Sequence, residues 1–187
     1  MDLVINFQGD EKSFVEACVN NEKWAQKKIY EDHYPIMFPL CCRYSNNQED
    51  ALDIMHDGFI KVFRNMHRYQ AGTSLNSWIK RIMVNTAIDF YRKRKRRRTE
   101  DIDNAVAVSS DNVDVVSELS AQEILEALQE LSPAYRSVFN LYIIEGYSHK
   151  EVAEKLGISE STSRSNLVKA RSKLKVILTQ KGIRHAG

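Results

Sequence analysis

The stretch Thr99–Ser117, TEDIDNAVAVSSDNVDVVS, is the least periodic part of the chain. It is acidic, lacks aromatic residues and carries Ser and Asn clusters. That composition cannot bury enough apolar surface to offset chain ordering. Structureless loops of this length are uncommon inside a compact domain. The chain therefore reads as two domains, residues 1–98 and 120–187, joined by a flexible acidic linker over 99–119. The charge follows the same division. Residues 1–98 are net +5, residues 99–132 net −9, and residues 133–187 net +6. A basic–acidic–basic chain suggests two segments for a polyanion, joined by one that avoids it.

Gly (7) and Pro (3) are sparse among 187 residues, which argues against a turn-rich all-β fold. The expected class is all-α. Ala51, Ile54, Met55, Gly58, Phe59, Val62, Phe63 and Met66 recur at helical spacing, as do Leu75, Trp78, Ile79, Ile82, Met83, Thr86 and Phe90. The polar, Gly-bearing segment Arg68–Ser74 separates the two stripes. An earlier, less regular helix spans Phe14 to about Tyr44, and Pro35 and Pro39 are expected to bend or interrupt it. After the linker, the Ser120/Glu123 pair starts a helix through Leu131. Ser132-Pro133 starts the next, which runs to about Glu145 before Gly146. Ser148/Glu151 opens a third that Gly157 stops, and Ser159 caps a last long helix to about Gln180.

Helix Ser148–Gly157, the turn Gly157-Ile158-Ser159 and the helix from Glu160 make a helix-turn-helix. Ala153 is small enough for a close crossing, and Val152, Leu156, Ile158 and Leu167 can fill the wedge. The second helix carries Ser161, Ser163, Arg164, Ser165, Lys169, Arg171 and Lys173, with no acid after Glu160. Hydroxyls near a helix N-terminus can bond phosphates, and Arg or Lys can reach phosphates or guanine edges. In the first domain, Arg81, Asn85, Asp89 and Arg92 stack on one face at spacings of 4, 4 and 3. That helix continues into seven consecutive cations, Arg92–Arg98. Such a run repels itself unless a polyanion lies beside it.

At these residues a family resemblance appears. The segments Asp50–Phe63 and Ser77–Arg92 resemble region two of bacterial RNA polymerase sigma factors of the extracytoplasmic-function (ECF) class. Leu131–Phe139 and Gly146–Ser159 resemble region four. The resemblance spans about residues 15–180 and includes the domain order. It implies a factor that binds core RNA polymerase at the largest-subunit clamp and the flap, reads promoter −10 and −35 elements, and helps melt the promoter. Asp50, Asp53, His56, Asp57 and Lys61 would face the polymerase. The loop Tyr69–Ser77 matches the family's capture loop for a flipped −10 base. Tyr69, Thr73 and Ser74 with Arg81, Asn85, Asp89 and Arg92 would form the −10 site, and Lys93, Arg94, Lys95 and Arg96 would meet the DNA backbone. Ser161, Ser163, Arg164, Ser165, Val168, Lys169 and Arg171 would form the −35 face. Many relatives are silenced by an anti-sigma factor wedged between the two domains.

Departures bear on the promoter sequence read. The family commonly has Gly-Thr-Val where this chain has Ser161-Thr162-Ser163, and Arg where it has Asn166. Val168 stands where some relatives carry an aromatic. His56 and Gly58 replace the usual Gln and Thr or Ala. Gly58 should cost the helix ~1 kcal/mol against Ala unless something packs closely there.

No enzyme constellation competes. The five His are scattered, with no H-x-x-x-H, Gly-rich phosphate loop or G-x-S-x-G. No catalytic residue, cofactor or metal site is expected. Cys18, Cys41 and Cys42 read as small buried hydrophobes in a reducing compartment. No apolar stretch approaches the ~20 residues of a membrane span, and Met1-Asp2-Leu3-Val4 has no basic segment before an apolar run, so a cytoplasmic location is expected. Two rivals remain: a dimeric helix-turn-helix regulator with residues 1–98 as a sensor, and an adaptor with no DNA role.

Overall fold

A computed structural model describes residues 11–98 and 121–180. Every regular element in them is helical. In chain order these are α1 (Glu11–Val19), α2 (Lys23–Tyr44), α3 (Gln48–Arg64), a 3-10 turn (Met66–Arg68), α4 (Leu75–Arg98), α5 (Ala121–Glu130), α6 (Pro133–Phe139), α7 (His149–Leu156) and α8 (Glu160–Gln180). A π-helical turn, Asn140–Ile144, continues α6. The expected linker and the Ser120 cap lie outside the described residues.

The chain divides into two compact units. One comprises Met1–Cys41 with Leu52–Thr86, the other Cys42–Ala51 with Ala87–Gly187. In the first, Phe14, Ile29, Met37, Leu40, Ile54, Met55, Phe59, Val62, Met66, Ile79 and Met83 make the core. α3 begins where Asn47 Oδ1 accepts from the Asp50 amide at 2.8 Å, an N-cap bond. Acids in its first turn and Lys61 and Arg64 in its last suit the helix dipole. Gly58 is the close-packing position that its helix cost demanded. A methyl group built there would collide with the Met83 sulfur.

Of the bend or interruption expected at the prolines, the interruption does not occur. α2 runs through Pro35 and Pro39, both exposed. The break comes earlier, at Asn21, whose φ is +60°. Asn is among the few non-Gly residues that tolerate this conformation. The Glu22 amide donates to Ala17 and the Asn21 amide to Cys18, satisfying the last carbonyls of α1.

In the second unit, Ala127, Leu128, Leu131, Ala170, Ile177 and Leu178 form a core from α5, its C-terminal end and α8. Ser132 caps α6, its side chain accepting from the Tyr135 amide, with Pro133 in the first turn. The helix then widens into the π turn before Gly146, which takes φ +77°. Arg136, fully buried, donates from Nε to the Leu128 carbonyl at 2.8 Å. Its Nη2 donates to Gln129 at 2.9 Å and Leu131 at 2.8 Å. One guanidinium thus binds carbonyls at and just past the end of α5, where intrahelical partners run out. Burial lowers its pKa to about 10, so it stays charged at neutral pH.

All three cysteines are buried free thiols. Burial pushes the Cys18 thiol up to about 11 and raises that of Cys42. Neither is a reactive thiolate near neutral pH.

Candidate nucleic-acid interface

The helix-turn-helix is built by local chemistry. Ser148 and Glu151 form the full capping box at the start of α7. Gly157 takes φ +62° and ends it. Ser159 Oγ accepts from the Thr162 amide at 3.0 Å and starts α8. Val152, Ala153, Leu156 and Leu167 are buried between the helices.

On α8, Ser161, Arg164, Ser165, Val168 and Arg171 are exposed, and Lys169 is half-buried. The exposed five fall at i, i+3, i+4, i+7 and i+10, a single outward stripe. Arg164 pairs with Glu160 at exposed positions four apart. Such pairs contribute only ~0.3–0.5 kcal/mol, so the guanidinium can turn to an anion at little cost. Ser165 Oγ donates to the Thr162 carbonyl at 3.1 Å.

Ser163 corrects the expected −35 face. It is fully buried. Leu167 and Ala170, four and seven residues on, are also buried. Helical spacing puts Ser163 on that inward stripe. Its Oγ lies 2.9 Å from His149 Nδ1. The His149 ring stacks on Tyr142 with centroids 4.1 Å apart. Partial desolvation lowers the His149 pKa, Arg164 and Arg171 add to this, and Glu160 opposes it.

Along α4, Arg81, Asn85 and Asp89 are exposed and Arg92 is half-buried. Arg92 donates to the Glu154 carbonyl at 3.0 Å. The helix continues without a break into the basic run. Lys93, Lys95 and Arg96 are exposed. Arg94 lies over the Phe90 ring, 5.7 Å from its centroid, and pairs with Asp50. Two residues expected in separate jobs, backbone contact and polymerase docking, therefore neutralise each other here.

Tyr69 corrects the expected capture loop. It is buried, tilted against Trp78 at 5.4 Å between ring centroids. Its hydroxyl lies 2.5 Å from the Thr73 carbonyl and 2.9 Å from Glu11 Oε1. Burial and the Glu11 bond raise its pKa. Tyr69 supports the loop from beneath and presents no face to a base. Glu11 Oε2 also accepts from the Gly72 amide at 2.9 Å. Thr73 and Ser74 are exposed. Thr73 Oγ1 donates to Gln70 at 2.7 Å, and Ser74 Oγ accepts from the Ser77 amide at 3.2 Å, capping α4.

Asp53, His56 and Asp57 are exposed on α3, while Asp50 and Lys61 are half-buried. The same face carries Ile60, 47% exposed, which sequence reasoning missed. The signal was present, because Ile60 falls off the apolar stripe, three residues after Asp57. Glu11 was also missed, and no local pattern links it to a loop 58 residues away.

Two family profiles match the chain: "Sigma-70 region 2" over residues 29–97 and "Sigma-70, region 4" over residues 121–174. The RNA polymerase sigma factor SigV of Bacillus subtilis is 30% identical over 81% of this chain and 90% of its own length. SigZ of the same organism is 34% identical over 78% of this chain and 82% of its own. The ECF RNA polymerase sigma factor SigE of Mycolicibacterium smegmatis is 33% identical over 82% of this chain, which spans 61% of that relative's length. With regions two and four in the expected order and relatives matched across most of its length, this chain belongs to the sigma-70 family of RNA polymerase sigma factors, in the extracytoplasmic-function class.

Proposed function

We propose that this chain binds core RNA polymerase and directs promoter-specific initiation, with residues 1–98 serving the −10 element and residues 120–187 the −35 element. The observation that carries the reading is α4. Its exposed Arg81, Asn85 and Asp89 run along one helix into exposed Lys93, Lys95 and Arg96. Asn can read a base edge through two hydrogen bonds, and the cations can follow phosphates. A sensor or adaptor domain has no use for that sequence of groups. The exposed stripe of α8, Ser161, Arg164, Ser165, Val168 and Arg171, with half-buried Lys169 beside it, supplies the second reading head. On α3, Asp53, His56 and Asp57 around exposed Ile60 offer a polar rim with an apolar centre, the make-up of a protein-docking patch.

The energetics require the polymerase. Stacking contributes ~1.4 kcal/mol per base-pair step, so opening roughly ten pairs costs on the order of 14 kcal/mol. Each base captured by stacking returns only ~1–3 kcal/mol. A 187-residue chain cannot hold a bubble open by itself. Its part is recognition and positioning, which involves no bond-making step, and we read it as a non-enzymatic factor working in the cytoplasm beside the polymerase.

The test is runoff transcription with core polymerase on duplex templates carrying matched −10 and −35 elements. The expected result is transcripts that start at one place and require both protein and polymerase. Tight, polymerase-independent binding to a duplex palindrome would instead favour the dimeric regulator.

A further inference from the structure

The interior of the helix-turn-helix holds one polar contact that the reading above does not use. Ser163 lies on the inward stripe of α8 with Leu167 and Ala170, and none of the three reaches solvent appreciably. A buried hydroxyl without a partner is costly, and one with a partner fixes geometry. The partner is His149 Nδ1, at 2.9 Å. His149 opens α7, directly after its Ser148 cap. The flat side of its ring stacks on Tyr142, tilted by 20°, in the π-helical turn. The contact therefore ties three elements into one column: π turn, α7 and α8.

Helix geometry turns this contact into a constraint on the outer surface. Successive residues of an α-helix are spaced about 100° apart around its axis. Aiming Ser163 at His149 fixes where Arg164, Val168 and Arg171 point. Apolar packing at Leu167 and Ala170 alone resists rolling weakly, because it has no direction. A hydrogen bond does have direction.

We propose that the His149–Ser163 hydrogen bond, braced by Tyr142, is a positioning lock that sets the roll of α8 in the major groove and thereby the −35 bases this chain prefers. The proposal rests on the reading of α8 as the −35 helix. His149 and Ser163 need not touch DNA; they act through Arg164, Val168 and Arg171.

The experiment uses holoenzyme assembled from core polymerase and full-length chain. Its readout is transcription from a promoter panel carrying every single-base change in the −35 element. Four variants separate the contributions. His149→Phe keeps a ring for Tyr142 and removes Nδ1. His149→Asn places an amide near the Nδ1 position. Ser163→Ala removes the hydroxyl. The double variant His149→Phe/Ser163→Ala removes the bond and leaves no unpaired hydroxyl. Thermal unfolding establishes which variants are folded, and Ser163→Ala carries the test if His149→Phe is not.

The lock predicts that His149→Phe, Ser163→Ala and the double variant lower the preference for the best −35 base by about fivefold or more at one or two positions, the lower end of one base-specific contact. His149→Asn should stay within about twofold of wild type, as a bond to the same hydroxyl would maintain it. A purely structural role predicts something else: the double variant recovers both stability and the wild-type preference profile. That outcome overturns the proposal. If the wild-type holoenzyme itself is indifferent to −35 substitution, the assignment of α8 falls, and this proposal with it. The two failures are distinguishable, because only the second leaves Arg164→Ala and Arg171→Ala without effect on the panel.

Discussion

His33 and Arg136 are buried polar side chains whose surroundings make opposite demands. His33 Nδ1–H donates to the Ile29 carbonyl at 2.8 Å, while Nε2 has no partner among the described residues. Burial lowers its pKa below the usual 6.5, outweighing the Ile29 bond and nearby Asp32. The unfolded chain therefore binds this proton more readily than the folded one. Stability should be fully present above about pH 6.5 and should fall as pH drops through the unfolded value toward the lower folded one. Urea midpoints measured from pH 8 to 5 should show this fall, and His33→Leu should flatten its share. A slope unchanged by that substitution would clear His33 of the effect. Arg136 is the reverse case, a charge held by carbonyls. Arg136→Ala would take the guanidinium from the Ser45, Gln129 and Leu131 carbonyls and one of two donors from the Leu128 carbonyl. A hydrogen bond to a charged group is worth ~1.5–3 kcal/mol, so losing all four should cost ~6 kcal/mol or more. Arg136→Lys should recover less than half, because an ammonium cannot reproduce the fork. Equal denaturant midpoints for Lys and Arg would show that charge alone suffices.

At the scale of elements, the α3–α4 contact turns on Gly58 and Met83. Gly58→Ala gains ~1 kcal/mol of helix propensity but forces Met83 aside, and overpacking costs ~1–3 kcal/mol. The single change should be neutral to destabilising. With Met83→Ala the obstruction is gone, and Gly58→Ala should become stabilising by ~1 kcal/mol. Additive denaturation free energies in the four-variant cycle would show that the two residues do not compete for space. This contact also marks the limit of what the sequence disclosed. It flagged Gly58 as a cost in want of a neighbour, but could not name a partner 25 residues away. The caps at Ser132, Ser148 and Ser159 and the stop at Gly157 were legible because each depends on residues within four of itself. The π turn after Phe139 was not, since no residue type signals it. Tyr69 was assigned through the resemblance of its loop to the family's, and Ser163 by chemical type, as a hydroxyl for a phosphate. Burial decides otherwise for both. The spacing of Ser163 from Leu167 and Ala170 already pointed inward. Nothing local foretold that Glu11 would hold the loop from beneath.

For the whole molecule, the proposed function leaves the question whether α4 and the loop before it meet a duplex or a separated strand. With Tyr69 buried, the proposed −10 site keeps Arg81, Asn85 and Asp89 on α4 and the exposed hydroxyls of Thr73 and Ser74. Asn85 is exposed while Ile79, Met83 and Val84 fill the core, so Asn85→Ala should fold and bind core polymerase like wild type. Replacing Lys93, Lys95 and Arg96 with Ala should weaken promoter binding on all sequences and flatten its salt dependence. Asn85→Ala should leave the salt slope unchanged and lower initiation on duplex promoters by about fivefold to a hundredfold, as expected for ~1–3 kcal/mol from one base contact. A template already mismatched across the melted segment removes the opening cost. If Asn85 acts by helping the strands part, that template should restore the variant to near wild-type rate. If it reads a base already exposed, the defect should persist and should vary with the base placed there. Wild-type rates for Asn85→Ala on duplex promoters would remove α4 from the −10 site, and the basic run would then serve only as a non-specific hold on DNA.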